Sequence, residues 1–221
     1  MLAGTSRVLT EEEIIRRLKQ RADHQKPDGS VHPRAGLQNE PGSLQQTAGA
    51  PKLRKAAVLV PLIWDEDQWH LLLTRRTETV ANHKGQVSFP GGSAEPGDAG
   101  PEETALREAY EEIGLLPRDV TILGRLSSRP TVTNFVITPV IGRVRWPYEF
   151  RLSQEEVGRV FTIPLDWLAQ PQNREERPRV LPGVGRVENV IHFRPYDGEI
   201  LWGASAWIAM DLLRALRIVT G

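Results

Sequence analysis

Cysteine is absent from all 221 residues, which excludes disulfides, thiolate metal sites and cysteine nucleophiles. No apolar run approaches the ~20 residues of a membrane span, and the N-terminus lacks the charged and apolar regions of a signal peptide. Neither sign of charge is in excess: 28 Lys and Arg balance 28 Asp and Glu, which argues against a broad surface for a nucleic acid polymer. The five histidines have no HxxH or HExxH spacing, so no zinc site is expected. These absences predict a cytoplasmic protein with neither a membrane nor a nucleic acid polymer as partner. A small anionic ligand, which needs only local cations, remains open.

What is present is concentrated between Phe89 and Leu115. A Phe89-Pro90-Gly91-Gly92 turn and a short acidic loop lead into Arg107-Glu108-Ala109-Tyr110-Glu111-Glu112-Ile113-Gly114-Leu115. At about 100° per residue, Glu112 lies about 40° to one side of Glu108 and Glu111 about 60° to the other. Three like charges on one helical stripe repel, and hard divalent ions prefer carboxylate oxygens. The stripe is therefore a candidate cation-binding face; a solvated acidic face is the plainer alternative. Ala105, Leu106, Ala109 and Ile113 cluster towards the other side and predict a packing face. Pro101, Glu102 and Glu103 mark the helix start, and Gly114 its stop.

Around this segment the chain divides unevenly. Thr10 and Glu13 form a candidate capping box ahead of Ile14, Ile15, Leu18 and Ala22, so a short N-terminal helix is expected. Residues 23–52 are rich in Pro and Gly and read as a linker or strap. Residues 1–52 are thus set apart from a compact domain over 53–221. Within that domain, strands are expected over Ala56–Trp64, Trp69–Thr74, Val120–Leu126, Ile137–Arg145 and Val160–Ile163, with Val87–Phe89 leading into the Gly-Gly turn. Asp166-Trp167-Leu168 reads as the start of a short helix, and Gly203–Val219 as a closing helix. The succession predicts an α/β sandwich on a mixed sheet.

The stretch from Gly92 to Leu115 resembles the Nudix box, Gly-x5-Glu-x7-Arg-Glu-U-x-Glu-Glu-x-Gly-U with U apolar. Arg107 to Leu115 match at every position. Gly92 stands fifteen residues before Arg107 rather than fourteen, with Asp98 where the first glutamate would be. The same lengthened loop occurs in the coenzyme A diphosphatase branch. That branch also carries a pattern like Leu-Leu-Thr-x-Arg-(Ser or Ala)-x3-Arg-x3-Gly-x3-Phe-Pro-Gly-Gly. Here the chain reads Leu72-Leu73-Thr74-Arg75-Arg76-Thr77, then Gly85, then Phe89-Pro90-Gly91-Gly92, with every interval kept. Thr77 replaces the small residue, and Ala81 replaces the second arginine, deleting a cation that could have met a phosphate. His83, Lys84 and Arg75 are near enough in sequence to supply positive charge instead.

The resemblance, spanning roughly Leu53 to Leu216, implies a Nudix-type α/β/α sandwich. It also implies Mg²⁺- or Mn²⁺-dependent hydrolysis of a nucleoside diphosphate derivative. Coenzyme A or its derivatives would be cleaved to 3′,5′-ADP and (acyl-)4′-phosphopantetheine, with ADP-ribose, NADH or dinucleoside polyphosphates as the alternative substrates. A non-catalytic binding module is the third reading, opposed by retention of Glu108, Glu111 and Glu112. Carried over by position, the metal ligands are Glu108, Glu111, Glu112 and Gly92. Arg76, His83, Lys84, Gly91 and Gly92 become substrate-binding residues, and Asp98 pairs with Arg107 to fix the loop. Arg107 itself is expected to point away from the centre of the acidic stripe. The general base is left between a box glutamate (Glu111 or Glu112) and Glu156, which precedes a Val157-containing segment similar to the family's Glu-Val. His192, Phe193 and Tyr196 precede Trp202-Gly203, similar to a Trp-Gly turn of the branch; they read either as adenine-stacking residues or as core and hairpin. Homodimerisation, common in the family, is part of the same expectation.

Overall fold

The computed structural model describes residues 9–24, 53–77, 85–131, 134–180 and 187–219. Residues 23 and 24, expected to open the linker, continue the first helix; the rest of the linker lies outside the described residues, as do His83, Lys84 and Ala81.

Helix α1 (Glu11–His24) opens with the reciprocal bonds of a capping box. The Glu13 N–H donates to Thr10 Oγ1 at 3.2 Å and the Thr10 N–H to a Glu13 carboxylate oxygen at 3.4 Å. Strand β1 (Arg54–Asp65) follows and turns into its antiparallel partner β2 (Gln68–Arg76). The short β3 (Val87–Ser88) pairs with the far end of β2, and β4 (Gly91–Ser93) returns to pair with the start of β1. Helix α2 (Pro101–Ile113) comes next, then β5 (Val120–Arg125), β6 (Arg129–Pro130) and β7 (Phe135–Val144). Strand β8 (Val157–Pro164) pairs with β2 and runs into α3 (Leu165–Ala169). A separate hairpin of β9 (Arg174–Val180) and β10 (Val187–Phe193) precedes the closing helix α4 (Gly203–Ala215).

β1 lies at the centre of the larger, eight-stranded sheet, antiparallel to β2 and β4 and parallel to β7, so the sheet is mixed. Alternation along its strands divides the apolar side chains between two cores. Ala57, Leu59, Ile63 and Leu72 face α2, where Ala105, Ala109 and Ile113 meet them. Val60, Leu62, Leu71 and Leu73 face the other way, onto α1, α3 and α4. Burial on both faces explains why β1 and β2 read as nearly continuous apolar runs. The result is the expected α/β/α sandwich.

Helix α1 belongs to the second core. Ile14 and Leu18 are buried there, Arg17 donates to the Leu216 carbonyl, and Arg21 pairs with Asp211 of α4. Ile14→Ala is expected to lower the unfolding free energy by about 2–5 kcal/mol through lost burial and a residual cavity. Urea denaturation measures this, and an unchanged midpoint would show that the helix is peripheral to the fold.

Several elements differ from expectation, β6 and β10 among them. β4 is built from two glycines, so no side-chain pattern announces it. β9 reads Arg-Glu-Glu-Arg-Pro-Arg-Val, without a buried face to impose alternation, and is held by its partner strand rather than by propensity. The closing helix ends at Ala215, before the expected Val219, because Arg217 adopts φ 51° and the Ile218 N–H turns back to the Leu213 carbonyl at 2.9 Å.

Candidate active site

Helix α2 sets the site. Pro101 occupies its first turn with Glu102 and Glu103 at the positive dipole end, and Gly114 closes it in the left-handed region at φ 68°. Its acidic stripe does not face away from the packed side but borders it: Glu112 lies only about 20° round the helix from Ala105. The side chains of Glu112, Glu108 and Glu111 accordingly retain 5%, 17% and 54% of their exposure. Burial orders them from inside to outside, and the three carboxylates are not equivalent.

Glu112 is the innermost. Arg76 Nη1, from the end of β2, approaches it to 3.7 Å, and the Gly91 backbone amide of β4 favours its charged form. Burial pushes its carboxyl up to about 8, helped by the nearby Glu156 and Glu108 and opposed by Arg76. Glu108 is also raised, again mainly by burial, with Arg107 acting in the opposite direction. Gly92 is pressed against it: a Cβ there would fall 2.6 Å from the Glu108 carboxylate.

Glu156 arrives from a different part of the chain for a local reason. The turn ahead of β8 is tied to α2 by the Ser153 N–H, which donates to the Glu112 carbonyl at 2.9 Å. It is tied to the end of β2 by the Thr77 N–H, donating to the Glu156 carbonyl at 3.0 Å. The Glu156 carboxylate thereby stands 3.8 Å from Arg76 Nη2. Arg76 bridges the box glutamate and the later acid.

Arg107 and Asp98 meet as a fork on a carboxylate, with Nε–Oδ1 and Nη2–Oδ2 both at 3.2 Å. Arg107 also donates to the Ser93 carbonyl at 2.9 Å, joining β4, loop and helix. Its reach exceeds the expectation from helical angle alone. Nη1 lies 3.1 Å from a Glu108 oxygen and 3.2 Å from one of Glu111, so the long side chain folds back over the outer half of the stripe. Thr104, which the sequence did not single out, donates from Oγ1 to Asp98 at 2.8 Å; its place on the turn of α2 preceding Arg107 was the available signal.

The Arg107 hydrogen bonds hold Asp98 down at about 2. The depressed value means that the charged form is favoured in the fold; its contribution is complete above the ordinary carboxylate range and is lost as pH falls through about 2. Carbon-detected NMR titration of Asp98 is expected to give that midpoint. A value near the ordinary ~3.9 would show that the fork does not form in solution.

Structure therefore brings together Glu108, Glu112, Glu156, Arg76, Gly91 and Gly92, with Glu111 on the outer flank beside Arg107 and Asp98. Among the described residues no three His, Asp or Glu side chains close on a single point as a metal site. The chemistry of the donors nevertheless fits a hard divalent ion. Glu112 and Glu108 are partly desolvated carboxylates whose burial disfavours an uncompensated negative charge, and oxygen ligands are what such ions take.

A mixed-sheet sandwich with an acidic helix and a Gly-Gly turn at its sheet defines the Nudix hydrolase class. Residues 53–184 match the NUDIX domain model. The chain is 46% identical over 165 residues to an uncharacterized Nudix hydrolase, NudL, of Enterobacter sp. (strain 638), covering 75% of this chain and 83% of that protein. It is 36% identical over 173 residues to the NudL protein of Pectobacterium atrosepticum, covering 75% and 83% respectively. Among solved structures it is similar to a MutT/nudix family protein from Enterococcus faecalis. That match has a TM-score of 0.48 and 16% identity, and covers 79% of this chain and 66% of that one. This structural likeness concerns the fold alone. The chain belongs to the Nudix family and is a hydrolase acting on pyrophosphate bonds. Members of this family act on small-molecule diphosphates and generally use divalent metal ions. No helix among the described residues is long and apolar enough to cross a membrane.

Proposed function

We propose that this hydrolase cleaves the diphosphate of coenzyme A or its derivatives, releasing 3′,5′-ADP and (acyl-)4′-phosphopantetheine, in the cytoplasm and with Mg²⁺ or Mn²⁺. The observation that carries the reading is the convergence of Arg76 on Glu112 and Glu156. Arg76 belongs to the pattern that precedes the box, Glu112 to the box itself, and the fold brings the two within 3.7 Å.

Glu108 and Glu112, with Glu111 and the Gly92 backbone, are the groups that would hold the divalent ion. When bound, such an ion neutralises phosphate oxygens and makes water a better nucleophile. Arg76, whose planar fork suits two phosphate oxygens, orients the diphosphate beside the glutamates. His83 and Lys84 extend that role in the proposal, and the Gly91-Gly92 turn lets the substrate approach the backbone. Glu156, exposed and held near Arg76, takes the proton from the attacking water; Glu111 or Glu112 is the competing base. Arg107 and Asp98 keep β4, loop and helix in register. A homodimer belongs to the same proposal.

Ala81, standing where the coenzyme A pattern has its second arginine, favours one further reading: a broader diphosphatase acting on ADP-ribose, NADH or dinucleoside polyphosphates. Coenzyme A, an acyl-coenzyme A, NADH, ADP-ribose and a diadenosine polyphosphate, assayed side by side with products resolved by mass, separate the two. The highest kcat/KM is expected for a coenzyme A species, and preference for any of the other compounds would overturn that assignment.

A further inference from the structure

We propose that a second cleft, bounded by Arg75, Gln86, Arg177, His192, Glu199 and Trp202, is a binding site for a nucleotide. It is an open cleft of about 440 Å³, a size suited to a small ligand. One wall is flat and aromatic. The rings of His192 and Trp202 stack within 10° of parallel, with centroids 5.4 Å apart. The Arg179 guanidinium lies 5.1 Å from the Trp202 ring centroid.

The remaining polar lining includes two guanidinium groups, Arg75 and Arg177, each held in direction by an acid. Arg75 Nε stands 3.7 Å from Glu199, and Arg177 Nη2 stands 2.5 Å from Glu175. Glu199 is itself buried and also meets Arg159 Nη1 at 3.4 Å, so the acid anchors the guanidinium groups around it. A flat π-wall beside oriented guanidinium groups is the combination that stacks a base and takes its phosphate. An uncharged, thread-like amide chain would use neither.

The cleft lies on the opposite face of β2 from the glutamates. Leu72 faces the α2 core, whereas Leu71 and Leu73 face the α4 core; by the same alternation Arg76 reaches Glu112 and Arg75 the cleft. The two are nonetheless close along the strand. The Arg76 N–H donates to the carbonyl of Gln86, a lining residue, at 3.0 Å. The ligand has two sources of the same chemistry: the nucleotide half of the substrate reaching round the strand end, or a free nucleotide held across the sheet. Only the first source rests on the diphosphatase reading.

Calorimetric titration of 3′,5′-ADP and of ADP into the full chain tests the site. Arg177→Ala with Arg179→Ala, both on the exposed face of β9, is expected to weaken binding about tenfold or more without shifting the melting temperature. Trp202→Leu is expected to do the same through lost stacking. Intact coenzyme A added to the Glu112→Gln protein distinguishes the sources: displacement of 3′,5′-ADP assigns the cleft to the substrate, and undiminished binding assigns it to a free nucleotide. Wild-type affinity in both cleft variants, or no binding of either nucleotide by the wild-type chain, would overturn the proposal. Either result would leave the hydrolytic reading standing, because that is judged by mass-resolved products. Cleft-dependent nucleotide binding without any hydrolysis would do the reverse.

Discussion

Replacing Glu112 by Gln is expected to lower turnover by about 10³-fold or more while leaving the melting temperature nearly unchanged. The amide keeps the shape of the side chain. Burial pushes the carboxyl up to about 8, so the surroundings tolerate a neutral group at this position. What disappears is the negative charge that, in the proposed mechanism, draws a cation to the inner end of the stripe. Glu111→Gln is the useful comparison, since that carboxylate is more than half exposed and already paired with Arg107. Its effect should be the smaller of the two. Product formation by mass, alongside a thermal melt, measures both; full turnover in Glu112→Gln would remove this helix from the chemistry.

The second large effect is expected at Gly92, where Ala should lower Mn²⁺ affinity and turnover about 10- to 100-fold with the fold retained. A Cβ there would fall 2.6 Å from all three atoms of the Glu108 carboxylate group. Those atoms end a flexible side chain, so the chain yields and the carboxylate moves; backbone packing is spared. Gly91 offers the contrast. Its φ is +156°, and a Cβ would meet the Ala57 carbonyl oxygen at 2.4 Å and Val58 Cα at 2.5 Å, both backbone atoms of the central strand. Gly91→Ala should therefore lose the fold along with activity. Isothermal titration with Mn²⁺ and far-UV circular dichroism separate the cases, and a Gly92→Ala protein with wild-type metal affinity would contradict this placement of Glu108.

Much of the fold was legible because burial on both faces leaves an unmistakable mark. The apolar runs of β1 and β2, the amphipathic pattern of α2 and the capping box of α1 each follow from what their side chains must cover. β4 left no such mark, since its function is to bring glycine backbone close to β1 and to Glu108. β9 was equally silent: a charged, proline-containing strand reads as loop, and with it Arg177 and Arg179 went unnoticed. At the site, the box and the preceding pattern gave the residues but not their order of burial. That order follows from helical angle, since Glu112 sits close to the line of Ala105. The reach of Arg107 over Glu108 and Glu111 depends on side-chain length, which angle alone does not capture.

In the proposed mechanism the inner glutamates of α2 hold the divalent ion. Electron paramagnetic resonance of Mn²⁺ titrated into the protein measures it most directly, because bound ion is lost from the free-ion spectrum. Wild-type chain is expected to take up Mn²⁺, and a Glu108→Gln, Glu112→Gln double variant with an intact thermal transition is expected to leave it free. Undiminished Mn²⁺ uptake by that folded variant would contradict the account.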